Sequence, residues 1–465
     1  METLSRTTLV PGPAPKGRLV LTLAFAEHPD GIAATTPLSP EGLTIGRAPE
    51  SDGPRLVLPT DGWASRTHAR IRSTPDGLRV EDLGARNGTR VEGVRITAPT
   101  HLMAGQVLQV GSAVFVVGQE ADGDLPPPPP DFACRNAGMR ALWGRMLRLA
   151  ESDASVLILG ELGTGKTRIA RLLHALGPRA HRPFVAHNCS ALPRNLEEAT
   201  LFGVVGGFIP TVKAQDGLIS RAGDGTLFLD ELAELPEPAQ AKLLDAFDPN
   251  APSFLAVGGT QRIPTRCRLI TATNRNVFDL ARTGVLRHDL LSRLAVGQLT
   301  VPPLRSRRED ILPLFEAALA RAGVTQPAIT RAEVATALLV ARWTENVRGL
   351  ETLAQRVALG EVLDVALILA HAERGLVEPI EEHRPTPVAS VPSVPGGGAE
   401  LGGPWPPSPA ELLELLARHG WEIKAAAEAI GRRRETLSRL VSATFGGREA
   451  LARAWQVYQS TGKVP

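Results

Sequence analysis

Two stretches carry residue types and spacing that bear on chemistry: Gly160-Glu161-Leu162-Gly163-Thr164-Gly165-Lys166-Thr167 and, farther on, Thr226-Leu227-Phe228-Leu229-Asp230-Glu231. The first follows the apolar run Val156 to Leu159 and precedes a helical pattern. That strand–loop–helix context is the one a phosphate-binding P-loop requires. Glycines let backbone N–H groups converge on phosphates, and the N-terminus of the next helix adds positive dipole. In such a loop Lys166 reaches the β- and γ-phosphates and Thr167 holds Mg²⁺. The second stretch is an apolar strand ending in two acids, which suits a metal-side Asp230 and a water-activating Glu231. Either stretch alone arises as a Gly-rich turn or an acidic strand end; together they predict ATP hydrolysis.

The elements around these stretches divide the chain. At 465 residues it is long for one domain, and two low-complexity segments separate three pieces of different character. Residues 17–119 hold short alternating runs (Arg18–Phe25, Leu43–Ile45, Ala69–Ile71, Leu78–Val80, Val107–Val117) between Gly, Pro, Asp and Asn turns, which predicts a β-sandwich. Residues 120–131 include five prolines in a row, Pro126 to Pro130, and read as a stiff spacer. Residues 132–378 alternate apolar strands with helical patterns, a parallel α/β sheet finishing in a helical stretch from about Arg307. Residues 379–407 are a second Pro/Gly-rich linker, and residues 408–465 read as all-helical.

The last piece opens on Ser408-Pro409-Ala410-Glu411, a capping box with proline at the first helical position. Three helical patterns follow. The third starts after Gly431 in Arg432-Arg433-Arg434, continues through Thr436 and Arg439, and turns Leu437 and Leu440 inward. This is helix-turn-helix patterning, with arginines at the N-terminal end of the helix that would enter a major groove. Nine basic side chains stand against six acidic ones in this piece. A small helical bundle with solvated arginines fits the same pattern.

Composition narrows the choice. The apolar fraction is 43% and the net charge +2, so no global field points to nucleic acid or membrane and any basic surface is local. Six lysines stand among 51 basic residues, so Lys166 is a lysine where arginine was the ordinary choice. Cys134, Cys189 and Cys267 are odd in number and widely spaced, which fits a reducing cytoplasm. No apolar run approaches a membrane span, and no membrane partner is expected.

With these residues placed, 132–378 resembles the enhancer-binding activators of sigma-54 RNA polymerase, which are AAA+ ATPases. The matching segments are Phe184 to Leu192, Leu201-Phe202-Gly203, Gly225 to Glu231, Thr271 to Asn274, Leu286 to Leu294, Pro302 to Ile311, and Trp343 with Asn346-Val347-Arg348. The resemblance implies ATP as substrate with Mg²⁺, backbone phosphate contacts from Gly160, Glu161, Gly163, Thr164 and Gly165, and direct roles for Lys166 and Thr167. It implies that Asp230 supports the metal and that Glu231 polarises the attacking water. Asn188 would hold Glu231 away until engagement, and Asn274 would sense the γ-phosphate. Arg287 and Arg293 would reach into a neighbouring subunit, and Arg348 would close the lid over its own. An arginine supplied in trans is worth about 10³–10⁵ in rate, so the resemblance implies a homo-oligomeric ring, taken as a hexamer. In so arginine-rich a chain, surface ion pairing is the alternative for either finger.

The N-terminal piece looks like a forkhead-associated (FHA) phosphothreonine reader, through Gly46-Arg47, Ser65-Arg66-Thr67-His68 and Asn87-Gly88-Thr89. Arg47, Ser65 and Arg66 would bind phosphate through charge-assisted hydrogen bonds, Asn87 would hold the ligand backbone, and His68 reads as a packed structural histidine. The partner implied is a threonine-phosphorylated protein or its kinase; the alternative is a sandwich that docks on its own ATPase. The C-terminal piece looks like the Fis-type helix-turn-helix of the same activators, with Arg432, Arg433, Arg434, Thr436 and Arg439 on DNA.

One departure from the family matters. Where the activators carry GAFTGA to touch sigma-54, this chain reads Gly206-Gly207-Phe208-Ile209-Pro210-Thr211-Val212. Ile209 has no hydroxyl and Pro210 has a fixed φ and no N–H. The expected function is a cytoplasmic DNA-binding transcription regulator with an ATP-hydrolysing ring, acting on RNA polymerase holoenzyme, including the form carrying sigma-54. Two alternatives stay open: a regulator that uses nucleotide as an assembly switch without engaging sigma-54, and an ATP-driven scaffold whose C-terminal helices bind protein.

Overall fold

Val114-Phe115-Val116-Val117 is an unbroken apolar run, and a strand built from it has no side to give to water. In the computed structural model, which describes residues 18–27, 34–120, 125–130, 132–191, 196–206, 214–326 and 328–372, Phe115 and Val117 point into the sandwich with Leu21, Ile45, Ile71 and Val80. Val114 and Val116 point the other way, into a core shared with the lid helices. The run sits in the strand Ala113–Gln119, which pairs antiparallel with Leu19–Phe25 and with Val107–Val110. Across the six-stranded sheet the order is Thr35–Pro37, Leu19–Phe25, Ala113–Gln119, Val107–Val110, Thr89–Val91, Val94–Arg95. The facing sheet runs Arg55–Val57, Leu43–Gly46, Ala69–Thr74, Gly77–Asp82, Thr100–Leu102.

The sandwich expected from the sequence is therefore present, with one correction. Residues 107–117 are two strands, not one run. Gly111 takes a left-handed φ of 64°, and the buried Asp61 carboxylate accepts the Ser112 amide at 2.9 Å.

The proline run is also no free spacer. Trp143 donates its indole N–H to the Pro126 carbonyl at 2.8 Å, and Phe132 lies 5.4 Å, centroid to centroid, from the same indole. The chain thus enters the α/β domain along the helix Ala137–Ala150, whose first turn is capped by the Asn136 side chain.

The α/β domain is a five-stranded parallel sheet in the order Phe184–Asn188, Thr226–Asp230, Arg268–Thr273, Val156–Leu159, Gly297–Thr300. Its central strands are covered on both faces, which is why they read as continuous Val/Ile/Leu runs. Leu157 and Leu159 face one core while Val156 and Ile158 face the other. Leu227 and Leu229 are likewise divided from Phe228.

The lid comprises the helices Ile311–Arg321, Ala332–Val340, Asn346–Ala358 and Val365–Ala372. Phe315, Leu338, Trp343, Leu350 and Leu353 form its centre, and Ala24, Phe25, Val107, Val114 and Val116 of the sandwich complete it. Sandwich, sheet and lid belong to one compact unit. Among the described residues, no helix is long and apolar enough to cross a membrane. The expected helix-turn-helix, with Arg432, Arg433, Arg434, Thr436 and Arg439, lies outside the described residues, as do Gly207 to Val212 of the altered loop.

Candidate functional site

The P-loop turns sharply between the buried strand Val156–Leu159 and the helix Lys166–Ala175. Gly163 and Gly165 both take left-handed backbone, at φ 74° and 99°. At Gly163 the requirement is also spatial, since a Cβ there would stand 2.0 Å from the Glu345 carbonyl. Lys166 is only 6% exposed. Its ammonium donates to the carbonyls of Gly160 and Glu161 at 3.0 and 3.1 Å. Burial holds it below the ordinary lysine value, against the pull of Glu231 and Asp230.

The strand Thr226–Asp230 runs two places from the P-loop strand and delivers its acids to the same cleft. Thr167 donates its hydroxyl to Asp230 Oδ2 at 3.1 Å. Glu231 follows at φ 53°, a left-handed conformation unusual for a glutamate. Burial raises its carboxyl above the usual range, while the Asn274 amide, donating to Oε2 at 3.2 Å, opposes that. Lys166, Thr167, Asp230, Glu231, Asn274 and Arg348 line one cleft of about 1190 Å³.

Other expected residues have partners of their own. Asn188 lines the cleft, but its Oδ1 accepts from the Ser190 amide and hydroxyl at 2.9 and 2.7 Å. Glu231 is held by the Asn274 backbone instead. The Glu161 carboxylate is engaged by Arg305 at 2.7 and 2.6 Å, which lowers its pKa, so only its backbone is open to phosphate. Arg287 is paired with Asp289 at 3.1 and 2.8 Å. Arg293 reaches the Leu244 carbonyl and Asp248 at 2.8 and 3.2 Å. Neither arginine lines the cleft.

Three residues without an individual role in the sequence reading support the loop. Arg305 ties Glu161 to the start of the lid. Arg307, 3% exposed, donates to the Thr164 carbonyl at 2.9 Å. Asn346, 1% exposed with φ 52°, donates to the Leu162 carbonyl at 2.9 Å and accepts the Leu304 amide at 2.8 Å. Two signals point to Asn346: its place in the matched segment Asn346-Val347-Arg348, and its type, since asparagine tolerates left-handed backbone better than other non-glycine residues.

On the sandwich, Arg47, Ser65, Arg66 and Asn87 come together on adjoining loops. The Arg47 amide donates to the Ser65 carbonyl at 2.9 Å and the Ala48 amide to that of Arg66 at 3.0 Å. Ser65 Oγ accepts the Arg86 amide at 3.3 Å, and Asn87 donates to the Trp63 carbonyl at 2.8 Å. His68 is fully buried. Its Nδ1 accepts the Ser65 amide at 3.1 Å and its Nε2 lies 3.3 Å from the Gly88 carbonyl, a structural brace whose charged form burial disfavours.

Residues 132–300 match the sigma-54 interaction domain, and residues 43–111 match the FHA domain. The chain is 42% identical over 224 residues to the Nif-specific regulatory protein of Azotobacter vinelandii, covering 48% of this chain and 42% of that one. It is 44% identical over 222 residues to the response regulator protein PilR of Pseudomonas aeruginosa, covering 47% and 49%. It is 38% identical over 248 residues to the DNA-binding transcriptional regulator NtrC of Azospirillum brasilense, covering 51% and 49%. The chain thus spans about half the length of the curated relatives it matches.

Proposed function

The chain carries an FHA domain and a sigma-54 interaction domain homologous to those of sigma-54-dependent regulators, and from that premise we propose that it is a cytoplasmic, DNA-binding transcription regulator that hydrolyses ATP and takes its input from a threonine-phosphorylated protein. The observation that carries the ATPase reading is the contact of Thr167 with Asp230 at 3.1 Å, in one cleft with Lys166 and Glu231.

The donor set fits Mg²⁺. Among the described residues no group of three or more His, Cys, Asp or Glu forms a metal cage. One hydroxyl and one carboxylate oxygen beside a phosphate loop are what Mg²⁺ ordinarily takes from protein when substrate phosphates supply the rest. Thr167 and Asp230 would hold the ion, which when bound would supply charge neutralisation on the phosphate oxygens. Lys166 adds a fixed ammonium there once it leaves the Gly160 and Glu161 carbonyls. Glu231, raised by burial, is suited to accept a proton from the attacking water. Asn274, which lines the same cleft and holds Glu231 through its backbone amide, would sense the γ-phosphate. Arg287 and Arg293 must exchange their present partners to act on a neighbour's nucleotide, so assembly into a ring, taken as a hexamer, and pair-breaking are one event. Lys166→Ala is expected to lose ATP binding, and Glu231→Gln to bind ATP without turnover; ordinary turnover by the second variant refutes the assignment.

For input, a phosphothreonine peptide should outbind its unphosphorylated form through Arg47, Ser65, Arg66 and Asn87. For output, replacing Arg432, Arg433 and Arg434 should weaken DNA binding and flatten its salt dependence, with Thr436 and Arg439 on the same helix.

Ile209 and Pro210 favour a second reading, in which the same machine controls DNA occupancy without engaging RNA polymerase holoenzyme through sigma-54. Capture of purified sigma-54 by the chain trapped with a transition-state analogue separates the two readings. Repeating the capture with the loop restored to GAFTGA assigns any failure to those residues.

A further inference from the structure

We propose that Glu92, a residue of the sandwich, is a positioning residue for nucleotide binding at the P-loop, acting through the run Arg307-Arg308-Glu309-Asp310; the proposal rests on reading that loop as a nucleotide site. The juxtaposition is direct. Four consecutive residues at the start of the lid engage three parts of the molecule: the P-loop, the sandwich, and the segment Arg135-Asn136 that leads into the first helix of the α/β domain. Arg307 donates to the Thr164 carbonyl inside the P-loop at 2.9 Å and meets Met139 Sδ at 3.3 Å. Arg308 places one guanidinium nitrogen on both oxygens of Glu92, at 2.6 and 2.8 Å, and on the Gly105 carbonyl at 3.0 Å. Glu309 accepts from Asn136 at 3.0 Å, and its other oxygen stands 2.8 Å from where a Cβ on Gly118 would be. Asp310, wholly buried, accepts the amides of Arg135 and Asn136 at 2.6 and 3.3 Å.

Arg307 and Arg308 are adjacent in the chain, so the hand that holds the P-loop and the hand that holds the sandwich share one peptide unit. Arg307 is buried and packed on Met139 as well as Thr164, so it has little room to absorb a shift of Arg308 by changing rotamer. Asp310, immobilised two residues on, prevents the turn from absorbing a shift of Arg308 at its far end.

Glu92 is itself held in place. Its Oε1 accepts the Val107 amide at 2.7 Å, and its φ of 52° is one of three left-handed non-glycine values among the described residues. Such backbone is costly and persists only where its surroundings over-determine it. Beneath the contact, Val107, Val114 and Val116 share the lid core, so the sandwich cannot slide without disturbing the same junction. Arg307 fixes the orientation of the peptide that follows Thr164, one of the peptides from which the loop is built. Releasing Arg308 frees Arg307 to let that peptide turn.

The test uses the full chain and a fluorescent non-hydrolysable ATP analogue, with steady-state KM and kcat measured beside it. Glu92→Arg, which sets two cations together, is expected to weaken analogue binding about tenfold, an ordinary size for coupling between linked sites. KM should rise in step while kcat changes little. Glu92→Gln, which keeps shape and backbone, should show a smaller loss in the same direction. The swap Glu92→Arg with Arg308→Glu should recover most of the affinity, which general unfolding of the sandwich would not permit. Arg90→Ala, on the strand Thr89–Val91 that leads into Glu92 but outside the hydrogen bonds of Arg308, should bind as the parent does.

Parent-like affinity in both Glu92 variants overturns the proposal, as does an equal loss from Arg90→Ala or a swap that recovers nothing. Failure of the parent chain to bind the analogue overturns the nucleotide-site reading itself and is distinguished by that control.

Discussion

Asn346 donates to the carbonyl of Leu162 across 2.9 Å, so the first residue of a lid helix is fastened to the middle of the P-loop. The adjacent Val347 amide adds a second tie, to the Gly163 carbonyl at 2.9 Å. Loop and lid are therefore joined by two hydrogen bonds on consecutive residues. Asn346→Ala removes three hydrogen bonds, to Leu162, Glu161 and Leu304, from a buried site that also needs left-handed backbone. A loss of about 1–3 kcal/mol is expected from the orphaned groups, read as a lower urea midpoint. ATP affinity should fall further than stability alone explains, and an unchanged dissociation constant would count against the coupling.

The two left-handed glycines of the loop should differ. Gly163→Ala drives a methyl into the Glu345 carbonyl, whereas around Gly165 nothing lies within 4 Å of an added Cβ. Without nucleotide, Gly165→Ala should cost only the backbone strain, about 1–2 kcal/mol. Gly163→Ala should cost clearly more, because lid and loop must separate. Equal denaturation midpoints would contradict the close packing.

Glu309 gives a pH signature. Burial pushes its carboxyl up to about 7, above its value in the unfolded chain. The folded protein therefore holds a proton that the unfolded chain has released, and stability from this group is present at low pH and lost as pH rises through about 7. Glu309→Gln, which keeps an oxygen for Asn136, should raise the melting temperature relative to the parent above pH 7, with the gap closing toward pH 5. A gap that is constant with pH would mean that Glu309 is charged throughout.

Gly46 sits where a Cβ would stand 2.1 Å from the Arg66 carbonyl. Gly46→Ala must push apart the two loops that carry Arg47 and Arg66. Isothermal titration should show phosphopeptide binding weakened by tenfold or so, a cost of about 1.4 kcal/mol. Retained affinity would place the phosphate elsewhere on the sandwich.

Much of the nucleotide cleft was legible because its chemistry is local. Lys166 and Thr167 are neighbours in one loop, Asp230 and Glu231 end one strand, and the parallel sheet brings those ends together. The supports were less legible because they depend on distant packing. No spacing tells that Arg307 meets Thr164 or that Asn346 adopts a left-handed turn. The sandwich shows the same division. Its strands follow from alternation and turn residues, but Val114-Phe115-Val116-Val117 does not alternate, and that was the available sign that both faces are covered. Gly111 was likewise the visible break within 107–117. The proline run looked like a spacer because composition is silent about Trp143, which takes up the Pro126 carbonyl.

A strand with two dry sides has a practical meaning for anyone trimming this protein. Excising the first 131 residues to study the ATPase alone would strip Ala24, Phe25, Val107, Val114 and Val116 from the lid and bare a greasy scar. Such a fragment would clump through that wound, and its large apparent mass on a sizing column would be a counterfeit of ring assembly.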